Sequence, residues 1–238
     1  MLIWNNEFRT VFWAAVIPGI LAVGLLMIGV KEPKRHRSEK RSNPIRRENL
    51  KRLSSAYWWV VGVGTIFTLA RFSEAFLVLR TEQEGIPVPL VPLVMVAMNL
   101  VYAASAYPFG KLSDRVNHQS LLAIGLAVLA IADLVLATAN HWSALLLGVG
   151  LWGIHMGITQ GLLATMVADQ APQDLRGTAF GLFNLVTGLA LLIASGLAGY
   201  FWDRWGAAST FYLGAAFSCL ALLALLKKGL PESHFTTR

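Results

Sequence analysis

Apolar residues in this chain come in long unbroken runs, and polar residues collect in the short stretches between them. The runs fall at about 11–30, 56–79, 90–109, 120–139, 143–168, 178–201 and 207–226. A hydrocarbon core ~30 Å thick takes roughly 20 helical residues, so each run is long enough to cross a bilayer. The stretches near 121–139 and 178–200 are apolar around the whole helix, which suits lipid or a membrane bundle better than a half-exposed soluble helix. Backbone groups in lipid must be paired within helices or a closed barrel, and the absence of period-two alternation excludes the barrel. The pattern predicts an all-α polytopic membrane protein with seven transmembrane helices.

Composition agrees. Of the 238 residues, 55% are hydrophobic and only 14% charged, against roughly 25% charge in an ordinary soluble domain. Mean hydropathy is +0.57. The net charge of +7 would suit nucleic acid if it were spread over a face, but ten Lys/Arg lie in one stretch from Lys31 to Arg52, between two apolar runs. Basic residues so placed mark the cytoplasmic side and touch anionic lipid, so no nucleic-acid partner is expected. The run at 11–30 precedes its charge cluster, the reverse of a signal peptide, and reads as a true span with the N-terminus outside. Alternating from there puts sixteen Lys/Arg on cytoplasmic segments and three outside, Arg9, Arg80 and Arg204, with a cytoplasmic C-terminus. The expected location is the plasma or inner membrane, multi-pass.

The polar loop divides the chain. Residues 1–30 form a first transmembrane helix, 31–55 a basic cytoplasmic connector, 56–226 a six-helix unit and 227–238 a cytoplasmic tail. Within the connector, Asn43-Pro44 resembles an N-cap and first turn, and Ile45, Leu50 and Leu53 share one side. A short interfacial helix and a solvated linker are both compatible with that. Inside the six-helix unit, Gly110-x-x-x-Asp114-Arg115 is echoed by Gly199-x-x-x-Asp203-Arg204 at an offset of 89 residues. The same offset carries the start of the span at 56 to 145 and of the span at 120 to 209. Two three-helix repeats, 56–139 and 143–226, follow, and an odd number of crossings inverts the second, as in 3+3 transporter repeats.

The loop Gly110-Lys111-Leu112-Ser113-Asp114-Arg115 resembles the cytoplasmic loop signature of the major facilitator superfamily (MFS) of secondary transporters. The stretch from Pro172 through Gly181 resembles that family's entry into helix eleven, and the basic connector resembles the link between its two six-helix halves. Asn117, His118 and Gln119 depart from the signature, standing where it carries a glycine and two basic residues. The resemblance spans nearly the whole chain as helices six to twelve, with residues 1–30 in the place of helix six and helices one to five absent. It implies alternating-access transport of a small solute, coupled to a proton or another ion. This chain would supply one wall of the cavity, and an N-terminal half or a second copy the other. The alternative is a truncated or accessory membrane protein without transport of its own.

Polar side chains inside the spans are the candidate chemistry, because a charge at the bilayer centre costs at least ~2.5–3.5 kcal/mol. His155 lies near the middle of its span, with Trp152 and Thr159 on the same face; it is a candidate proton carrier or a neutral histidine bonded to a neighbouring helix. Arg71 and Glu74, three apart, form a candidate ion pair facing substrate or snorkelling outward. Asn99 and Gln160 are further cavity candidates, with Asn184 and Thr187 as additional polar points. Asp133, on a helix the resemblance makes peripheral, is expected to be structural or interfacial. The resemblance assigns Gly110, Asp114 and Arg115 to a cytoplasmic gate, and Asp169 and Arg176 flank the next loop as a second gate pair. Gly153, Gly157, Gly161, Gly177 and Gly181 occur at four-residue spacing and are expected to let helices pack closely. No zinc-type histidine pair, nucleophile elbow or P-loop occurs, so no metal, cofactor or enzymatic activity is expected.

Overall fold

A computed structural model describes residues 8–29 and 47–227. The apolar runs are helical over most of their described length, and among the described residues seven segments are long and apolar enough to span a membrane. The chain separates into two units, residues 1–43 and 44–238. The first contains α1 (Phe8–Gly29), whose apolar side chains are exposed around the helix, from Trp13 to Ile28. Pro18 sits inside it, a residue that membrane helices tolerate more readily than soluble ones. Most of the basic connector, the Asn43-Pro44 pair and the tail beyond Lys227 lie outside the described residues.

The second unit opens with α2 (Arg47–Lys51), a short helix at the end of the connector. Leu50 and Leu53 pack on the bundle core, so the end of the connector is docked instead of solvated. The bundle then comprises α3 (Ser55–Ala70), α4 (Ala75–Gln83), α5 (Val91–Ser113), α6 (His118–Thr138), α7 (Trp142–Gln170), α8 (Arg176–Trp205) and α9 (Ala207–Lys227). Starts and stops follow local chemistry. Ser54 caps α3 by accepting from the Tyr57 amide at 3.0 Å, and Asn117 caps α6 by accepting from Gln119 N at 2.9 Å. Gly206, at φ 86°, turns α8 directly into α9, a conformation that glycine adopts without a Cβ penalty.

The span read as 56–79 is not one helix. It breaks at Arg71–Glu74 into α3 and α4, which together run Ser55–Gln83. Arg71 leaves the helix at φ −108°, ψ 84°. The freed Ser73 amide donates to Ser195 Oγ of α8 at 3.2 Å, and Ala75 N donates to Ser73 Oγ at 3.3 Å. Ser195 and the Ser73 hydroxyl thus supply partners for backbone that the helix ladder no longer pairs.

α7 packs on α5 and α6, α3 packs on α8 and α9, and α6 packs on α9. Two apolar clusters fill the bundle. One, around Tyr57, Leu122, Leu162 and Leu225, lies toward the Asp114 loop. The other, around Phe72, Leu136, Trp152 and Phe211, lies toward Arg80. Glycine admits the closest approaches. A Cβ on Gly153 would stand 2.6 Å from Met98 O, and one on Gly157 would collide with Ser105, so these two seat α7 against α5. Gly161, Gly177 and Gly181 have open space where a Cβ would go, so the close-packing role expected of the four-residue series belongs to its first two members.

Candidate functional site

The helix break opens onto a cavity of about 710 Å³ between α3, α7 and α8. Arg71 and Glu74 stand at its mouth as an ion pair, Nη2 to Oε1 at 3.0 Å, partly exposed at 24% and 34%. The pair sits in non-helical backbone, so its geometry comes from the break and not from a helix face. Across from it, Gln160 of α7 and Asn184 of α8 are exposed and make no hydrogen bond to a described residue. The hydroxyls beside them are committed to backbone: Thr68 donates to Gly64 O, Thr159 to His155 O and Thr187 to Phe183 O, at 2.7, 2.8 and 2.8 Å. Phe67, Phe72, Phe180 and Phe183 supply an aromatic wall. Two uncommitted amides, one partly hydrated ion pair and aromatic faces can hold an organic solute that carries both apolar surface and charge.

His155 does not line this cavity. Its ring is fully buried between Phe67 and Trp152, and Nδ1 donates to Gly125 O of α6 at 2.9 Å. Gly125 is close-packed against Thr159 and Ile158, so its carbonyl lies within reach of the imidazole. Asn99 also lies elsewhere, exposed on α5 with its amide donating to Met95 O at 2.8 Å. Gln160 borders both the cavity and a second groove of about 300 Å³ between α5 and α7, formed by Tyr102, Gly110, Gly157, Gly161 and Thr165 among others.

At the expected gate, Asp114 terminates α5 and Ser113 donates to Gly110 O at 2.6 Å. Asp114, Arg115, Asp169 and Arg176 make no ion pair with a described residue. The cross-link found at this end instead joins Arg52 of the connector to Asp174 at 2.7 Å. At the opposite end, Arg80 donates through Nε to Leu136 O at 3.3 Å and through Nη2 to Ala139 O, and pairs with Glu84 at 2.9 Å. A cation there closes the carbonyl end of α6. Among the described residues, no group of acidic, histidine or cysteine side chains could hold a metal ion. Sequence reasoning passed over the aromatic wall and the Arg80 clasp. Phenylalanine inside an apolar run carries no separate signal, and the clasp depends on a contact 56 residues away.

The Major Facilitator Superfamily profile matches residues 72–237. A protein of Methanocaldococcus jannaschii, described as an uncharacterized MFS-type transporter, is 31% identical over 95% of this chain and 57% of its own length. Multidrug resistance protein MdtG of Dickeya zeae is 32% identical over 66% of this chain and 40% of its own length. The chain thus spans about half the length of these relatives. The crystal structure of an auto-inhibited POT family peptide transporter superposes with a TM-score of 0.58 at 16% identity, covering 76% of this chain and 39% of that one, which speaks to fold alone.

Proposed function

This chain belongs to the major facilitator superfamily, and from that premise we propose that it forms the C-terminal half of an alternating-access transporter for a small organic solute. The observation that carries the reading is the cavity: an ion pair set at a helix break, faced by two uncommitted amides and backed by aromatic rings. Broken helices that place freed polar groups at a solute site are a construction of secondary transporters. Arg71 attracts an anionic group of the solute, Glu74 a cationic one, and Gln160 and Asn184 orient it. Transport is coupled to protons. The facing wall comes from an N-terminal half or from a second copy. The N-terminus faces outside, the basic connector and C-terminus lie in the cytoplasm, and the protein resides in the plasma or inner membrane.

Vesicles containing the chain alone, or with candidate N-terminal halves, and loaded with a panel of radiolabelled organic solutes test this. Flux under a pH gradient that is lost in Arg71→Ala or Glu74→Gln is the expected result. Absence of flux in every pairing favours the second reading, an accessory or truncated membrane protein.

A further inference from the structure

Asp133 of α6 is fully buried, and neither carboxyl oxygen has a hydrogen-bond partner among the described residues. Ionisable side chains inside a membrane bundle are rare and ordinarily functional, and an unpartnered one needs a reason. Its surroundings supply one. α9 presents Gly214 to it: a Cβ there would lie 2.6 Å from Asp133 Oδ2 and 2.8 Å from Phe72 Cε1. Phe72 and the carboxyl therefore both crowd that glycine, and Phe72 also lines the cavity. It is the residue next to Arg71 in the non-helical break, so its ring reaches the neighbourhood of Asp133 from the same stretch that lines the cavity.

We propose that Asp133 is a proton-carrying site sealed from the cavity by the Phe72 ring, which admits and releases the proton by changing its side-chain rotamer while the break stays fastened to α8. A hydronium ion in the cavity solvent loses one O–H bond as its proton forms an O–H bond to a carboxylate oxygen, leaving water, and the reverse transfer returns the proton to water when the ring next swings aside. No ion pair reaches it among the described residues. α7 contributes His155, engaged with Gly125, and α4 contributes Arg80 with Glu84, engaged at the Leu136 and Ala139 carbonyls. Arg71 and Glu74 lie in the same break as Phe72 and line the cavity. On α9, Tyr212 and Cys219 are exposed. This rests on the transporter reading, but its test does not use flux.

The full chain in phosphatidylethanolamine–phosphatidylglycerol vesicles is titrated while its carboxyl C=O stretching region is followed by infrared spectroscopy, with Asp133→Asn identifying the band. The band is expected to grow and decline with pH. Its shift on transfer to D2O is expected to quicken roughly tenfold or more in Phe72→Ala, as for a site whose opening step has been removed. Phe72→Leu, which keeps the site apolar, gives a smaller acceleration and serves if the alanine variant does not fold. A band unchanged across the titration, or exchange no faster without the ring, overturns the proposal. A titrating, ring-gated Asp133 without flux in any pairing upholds this site and counts against the transporter reading. Flux with a silent Asp133 does the opposite.

Discussion

At the scale of single residues, glycines and buried polar atoms decide what this bundle tolerates. Gly214→Ala places a methyl against Asp133 and Phe72, neither of which is the free end of a flexible chain, so it is expected to destabilise by about 1–3 kcal/mol, read from unfolding in detergent. Gly181→Ala, with open space at the same position, should stay within about ±0.5 kcal/mol in that assay. The series of small residues was visible in the sequence, but which members touch a neighbouring helix was not, because spacing gives a face and not the identity of what crosses it. His155 makes the same point. Its depth in the span was readable; the direction of its ring depends on Gly125 being 30 positions earlier and close-packed.

At the scale of elements, the break in the second span matters most. Hydropathy averages over some twenty residues, so four polar or bulky positions within an apolar run leave the run intact while the helix stops and restarts. What replaces the lost helical pairing, Ser195 on α8, is 122 residues away and invisible to any local pattern. Ser195→Ala removes the acceptor for the Ser73 amide and is expected to raise hydrogen exchange at residues 71–75, with about 1–3 kcal/mol lost if the amide finds no substitute. The Arg80 clasp offers a second test at the far end of the bundle. Arg80→Ala leaves the Leu136 and Ala139 carbonyls without their cation, and exchange protection in the last turn of α6 should fall while α5 and α7 keep theirs.

At the scale of the whole molecule, the seven spans followed from run lengths, because lipid admits so few alternatives. In the bundle, α5 and α6 pack on α7, and α8 and α9 pack on α3. The cavity wall was only partly legible. Arg71, Glu74 and Gln160 were marked by their polarity in apolar runs, whereas the phenylalanines beside them belong to the same composition as the lipid-facing surface. Orientation is open to direct measurement: in a Cys219→Ser background, a cysteine at Asn117 is expected to react with an impermeant maleimide only in inside-out vesicles, and one at Asn140 only in right-side-out vesicles.

Tyr57 donates its hydroxyl to Ala179 O at 2.9 Å, and Ser73 N meets Ser195 Oγ at 3.2 Å. These two links fasten the second span to α8 at well-separated heights, like a door hung on two pins. A pair of spin labels on α3 and α8 should accordingly report one fixed separation throughout a transport cycle, and widening of the chamber should register between that fastened pair and α7.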